Sequence, residues 1–119
     1  MENQKKLDGT NKLIAEFMGY RYQKSNFFSV MEFYKNNEDK FVECKYHKSW
    51  DWLMPVVDKI ESFTDDLNQC RYNVEIEQCF VCITDNHNSE DIIELDADKK
   101  IDAVYQAVVE FIKFYNENK

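Results

Sequence analysis

The clearest hydrophobic pattern lies near the C-terminal end. Between Ile101 and Tyr115 only Asp102, Gln106, Glu110 and Lys113 are polar, and at about 100° per residue these positions fall within roughly 80° of arc. The pattern predicts a helix from about Ala97 or Asp98 to Asn116 with a thin wet edge. Such a helix must touch a sheet and a further neighbour, either the second helix or another copy of the chain. That second helix is read from Leu53, Val56, Val57, Ile60 and Phe63 at helical spacing. Ser49 suits its N-cap, with a hydroxyl that can accept from a free amide, and Asp51 suits its positive end. Pro55 falls beyond the first turn, where it removes a bond and clashes with the carbonyl four residues back, so a kink or a separate turn at Trp50 to Met54 is expected. A short first helix is expected from Thr10 or Asn11, with Leu13, Ile14, Phe17 and Met18 on one face and Gly19 as a left-handed cap.

Between the helices the period shortens to two. Phe27, Phe28, Val30, Met31 and Phe33 make Tyr20 to Tyr34 extended, Asn36 to Asp39 reads as a turn, and Phe41 to Tyr46 returns as a partner strand. In that strand Val42, Cys44 and Tyr46 share one face, Glu43 and Lys45 the other. Tyr72 to Thr84 reads as one extended segment. Its first half alternates Tyr72, Val74 and Ile76 with Asn73, Glu75 and Glu77; its second half, Cys79 to Ile83, is unbroken apolar and as a strand needs cover on both faces. The first helix is the expected cover. After a turn over Asp85 to Glu90, Asp91 to Leu95 completes a second hairpin. The expected fold class is α+β: a mainly antiparallel sheet of about four strands layered with three helices, in the order αββαββα. The last two helices are expected on the main face and the first on part of the other.

Composition keeps this to one domain. The chain has 119 residues, 44% of them hydrophobic and 32% charged, enough for a core at this size. With two Gly and one Pro, turns must come largely from Asn and Asp, which tolerate left-handed geometry. No apolar run approaches the roughly 18 residues of a membrane span, and the N-terminus leads into no signal-like segment, so a cytoplasmic location and no membrane partner are expected. The net charge of −8 opposes attraction to a phosphate backbone, and nucleic acid is a disfavoured partner. Lys5, Lys6, Lys12, Arg21 and Lys24 form a possible basic corner or a solvated terminus. From Asp85 to Asp98 six of fourteen residues are Asp or Glu and none is Lys or Arg. That stretch reads either as a solvated loop and helix start or as a surface that attracts a basic protein or imitates nucleic acid.

Candidate chemistry is sparse. Cys44 and His47 with Cys79 and Cys82 have nominal zinc-ligand spacing, but in a strand-like run residues three apart point to opposite faces. No metal site and no cofactor are expected. A Cys44–His47 nucleophile pair lacks a third group to orient the imidazole. The segment around His87 resembles a calcium loop but has Glu90 where glycine is required. Gly9 and Gly19 are isolated, so no phosphate-cradling loop exists, and no catalytic residue is assigned. The candidate binding residues are His47, Trp50 and Trp52, amphipathic rings at a helix start that suit an interface or a small-molecule pocket, or simply pack on the hairpin.

The run Tyr46-His47-Lys48-Ser49-Trp50-Asp51-Trp52-Leu53-Met54-Pro55-Val56-Val57, with Leu13 to Gly19 before it and Val104 to Asn116 after it, resembles small proteins of bacteriophages and prophages, the phage alpha-beta-alpha sandwich domain family. The resemblance implies a layered fold and a bacterial host, and brings no activity with it. The expected function is a noncatalytic phage or prophage accessory protein acting through a protein partner or self-association. The alternative is a small-molecule binder or enzyme with its pocket near His47, Trp50 and Trp52.

Overall fold

In a computed structural model that describes residues 2–19, 21–23, 33–35, 41–43 and 45–118, helices alternate with antiparallel meanders. Helix α1 (Glu2–Phe17) precedes strands β1 (Arg21–Gln23), β2 (Phe33–Lys35) and β3 (Phe41–Glu43). Helix α2 (Trp50–Ser62) leads into β4 (Tyr72–Glu77), β5 (Phe80–Asp85) and β6 (Glu90–Asp96), and α3 (Lys100–Glu117) closes the chain. The class is α+β with three helices, as expected. The described strands, however, form two three-stranded sheets, β1-β2-β3 and β4-β5-β6, so the order is αβββαβββα and the single sheet read from the sequence is corrected. Phe27 to Met31, Asn36 to Asp39 and Cys44 lie outside the described residues.

The main departure is at Gln78. Tyr72 to Thr84 is not one strand but a tight hairpin, in which Glu77 pairs with Phe80 and Gln78 takes a left-handed φ of 52°. No Gly, Asn or Asp marks this reversal, so turn chemistry gave no signal. The reversal also reassigns the apolar run. Val81 and Ile83 point inward and are fully buried, while Phe80 and Cys82 point outward. The outward pair is not covered by α1, which packs instead against α3 and β1.

Helix α1 begins well before Thr10 and ends as its glycine requires. Met18 N donates to Ile14 O at 2.9 Å, Gly19 N donates to Glu16 O at 3.0 Å, and Gly19 has φ 86°. Ser49 is the N-cap of α2; its carbonyl accepts from Trp52 and Leu53, but its hydroxyl makes no capping bond. The separate first turn at Trp50 to Met54 does not form, since α2 runs through Pro55 as one helix. The bond lost is the one to the Asp51 carbonyl, and Asp51 and Pro55 are both exposed, where water satisfies a carbonyl at little cost. Strand β3 ends at Glu43, so Tyr46 is buried from a turn rather than from a strand.

The core sits around α3. This helix crosses β5 and β6, α2 lies along β4 and beside α3, and α1 packs on α3. Ala103, Val104, Ala107, Phe111 and Ile112 are fully buried, while Gln106, Glu110 and Lys113 form the wet edge. The helix thus finds its neighbours within its own chain. At about 1.5–3 kcal/mol per large apolar side chain buried, α3 is a principal source of hydrophobic stabilisation. Phe17, Phe63, Tyr72, Phe111 and Tyr115 add an aromatic cluster joining all three helices to β4, with Phe63 stacked on Tyr115 at 5.1 Å and Tyr72 edge-on to Phe111 at 4.9 Å.

Candidate functional site

The structure sends His47, Trp50 and Trp52 to different surroundings. His47, in the turn before α2, is half-buried, and its Nδ1 lies 3.2 Å from Asn11 Nδ2. The Oδ1 of buried Asn11 accepts from Tyr105 Oη at 2.9 Å, and Thr10 Oγ1 bonds to the same Tyr105 hydroxyl. With the Asn11 amide donating, neutral His47 carries its proton on Nε2. This chain of polar groups fastens α1, α3 and the turn before α2, and it satisfies an asparagine that burial would otherwise penalise. Trp52 meets Tyr46 edge-on at 5.1 Å and packs against the core, whereas Trp50 stands 38% exposed.

The other sequence candidates are also dispersed. Cys79 sits in the β4–β5 turn, its Sγ donating to Asp98 O at 3.6 Å, and no described group of ligands joins it to Cys82 or His47. His87 is exposed in the β5–β6 turn. Neighbouring Asp85 is buried and accepts a forked pair from Arg71, Nε at 3.0 Å and Nη2 at 3.2 Å, plus His87 N at 2.9 Å. Burial pushes the Asp85 carboxyl up, but the Arg71 fork and the His87 amide outweigh it and hold the group below its ordinary value. Asn86 N closes the same corner on Arg71 O at 2.8 Å. The clasp is structural.

The outer face of the β4–β6 sheet was not legible in advance, because it depends on the Gln78 reversal. With Tyr72, Val74, Ile76, Val81, Ile83, Ile93 and Leu95 turned to the core, alternation places Asn73, Glu75 and Glu77 of β4 outward, with Phe80, Cys82 and Thr84 of β5. A register shift between Ile83 and Thr84 then brings Asp91 opposite Thr84, and Glu94 and Asp96 follow on the same face. Thr84 Oγ1 donates to Asp91 Oδ1 at 3.0 Å, and Asn73 Nδ2 donates to Glu75 Oε1 at 3.2 Å. Among the described residues, β4, β5 and β6 place five carboxylates and no Lys or Arg on this face.

Cys82 on this side is 8% exposed. Its Sγ and oxygens of Asp91 and Glu94 lie within 4.8 Å of one another, a sulfur and oxygen donor set compatible with a divalent cation. Thr84 already ties the group together, its Oγ1 3.7 Å from Cys82 Sγ. Burial above all, reinforced by Asp91 and Glu94 against the opposing bond to Thr84, pushes the Cys82 thiol above its ordinary value. A thiol held protonated is a poor nucleophile.

A cleft of about 460 Å³ opens where the ends of the three helices meet, floored by Leu13, Phe17, Phe63 and Tyr115, with Glu16, Lys59 and Asn116 on its polar side. The Lys59 ammonium donates to Phe17 O and lies 4.7 Å from the centre of the Phe17 ring, so it caps the C-terminal end of α1.

The described residues define an α+β protein in which the outer face of the β4–β6 sheet is acidic. Comparison with family models, with curated proteins and with solved structures gives no match for the chain. Among the described residues no helix is long and apolar enough to cross a membrane.

Proposed function

We propose that this chain is a noncatalytic binding protein whose recognition surface is the outer face of the β4–β6 sheet. A single exposed apolar residue is ordinary on a protein surface. What supports the reading is where Phe80 stands: 42% exposed on the central strand, between carboxylates, on a face that α1, α2 and α3 leave open. The protonated Cys82 beside it favours binding over nucleophilic chemistry. Because α1, α2 and the sheet already cover α3, the reading favours a different protein as partner over a second copy joined through α3. The resemblance to phage and prophage proteins extends the proposal to an accessory role in the cytoplasm of a bacterial host. The alternative pocket at His47, Trp50 and Trp52 is the weaker reading, since His47 and Trp52 are engaged within the chain and Trp50 alone stands exposed.

A photoreactive benzophenone side chain introduced at position 80, with a control at Gln106 on the wet edge of α3, tests the surface in host cells. Adducts from position 80 and none from position 106 are expected. Equal labelling at both, or none at position 80, rejects the reading.

A further inference from the structure

We infer that the partner presents a basic amphipathic helix, with an apolar stripe seated on Phe80 and Cys82 and Lys or Arg on both flanks. The inference rests on the surface reading above and adds the chemistry of the occupant. It comes from the strand register. Phe80 lies opposite Glu77 on one side and Asp96 on the other, Cys82 opposite Glu75 and Glu94, and Thr84 opposite Asn73 and Asp91. The outer face is therefore a neutral spine along β5 between two acidic rails.

Dimensions select the occupant. Neighbouring strands lie about 4.8 Å apart, which sets the rails about 10 Å from each other, close to the roughly 10–12 Å width of a helix with its side chains. A helix laid along β5 places one stripe on the spine and two charged flanks over the rails at once, whereas an extended segment offers one row of side chains to that face. Solvation alone accounts for carboxylates on edge strands, where charge discourages pairing with other chains. It does not account for an exposed Phe80 and a buried thiol running between them. A partner with the opposite sign complements both rails. The same rails repel nucleic acid and anionic lipid.

The test is fluorescence anisotropy of a labelled synthetic helix of about 18 residues, or five turns, with a leucine stripe flanked by lysines. The control peptide has the same composition with the leucines scattered. Both are titrated with the full chain and with its Glu75→Lys/Glu94→Lys, Phe80→Ser and Glu110→Lys variants; all four positions are exposed, and Glu110 is on α3. The striped peptide is expected to bind at least roughly tenfold tighter than the scattered one, and Glu75→Lys/Glu94→Lys to weaken it at least roughly tenfold. Phe80→Ser is expected to weaken it about threefold or more, Glu110→Lys to leave it within about twofold, and added salt to weaken it further. Equal binding of both peptides, indifference to the paired charge reversal, or no binding overturns the inference. Benzophenone adducts at position 80 combined with no peptide binding reject the basic helix and leave the surface reading standing. No adducts and no binding reject both.

Discussion

Asp85 and Asn11 are the buried polar residues whose satisfaction can be followed bond by bond. Asp85 holds its charge because the Arg71 fork and the His87 amide outweigh its burial. Its folded-state pKa is lowered, so the stability it adds is present above the unfolded carboxylate value of about 4 and is lost as pH falls through the folded value. Asp85→Asn is therefore expected to cost about 1 kcal/mol or somewhat more at pH 7 in urea unfolding, the low end because Arg71 is partly solvated. The variant should lose less stability than the parent between about pH 5 and pH 2; parallel acid branches contradict this. Tyr105→Phe removes the donor to Asn11 Oδ1 and is expected to cost about 1–3 kcal/mol, read from the same unfolding curves. Neither arrangement was readable from the chain. Arg71 and Asp85, or Asn11, His47 and Tyr105, are brought together only by tertiary folding, and nothing in their local spacing announces it.

Elements were legible where periodicity is long and illegible where a turn lacks its usual residues. Helix α3 shows its wet edge at Gln106, Glu110 and Lys113 as the 3.6-residue period requires. Phe111→Ala is accordingly expected to cost about 3–5 kcal/mol and Glu110→Ala no more than about 0.5 kcal/mol in thermal or urea unfolding. The β4–β5 hairpin shows the opposite case. Its reversal at Gln78 uses left-handed backbone without glycine, and the continuous run of strand formers across it hid the turn. That miss hid one of the two unexpected strands and concealed the acidic face; the other arises where β1 and β2 stand in place of one extended segment. Gln78→Gly is expected to raise stability by about 0.5–1 kcal/mol, while Gln78→Val, whose branched side chain resists that φ, lowers it by about 1 kcal/mol or more. Equal melting temperatures for the two variants argue against the turn. Pro55 misled in the other direction, because it allowed a separate first turn where α2 runs on as one helix with a lost bond tolerated on its wet side.

The molecule is asymmetric in how it uses its faces. One side of the β4–β6 sheet is sealed by α2 and α3, with α1 stacked beyond α3, while the described elements leave the other side open and charged. Sealing α3 within one chain removes the need for a second copy, so light scattering is expected to give the mass of one chain, 14.4 kDa. A concentration-independent dimer contradicts this. The central claim is that the open face, with Phe80 and Cys82 between acidic rails, is where a partner sits. Backbone amide shifts of the isotope-labelled full chain, followed by NMR while the leucine-striped lysine helix is added, test it most directly. The largest changes are expected at Glu75, Glu77, Phe80, Cys82, Glu94 and Asp96, with Gln106 and Glu110 unmoved. Changes centred on α3 or on the His47 turn, or none at saturating peptide, contradict it.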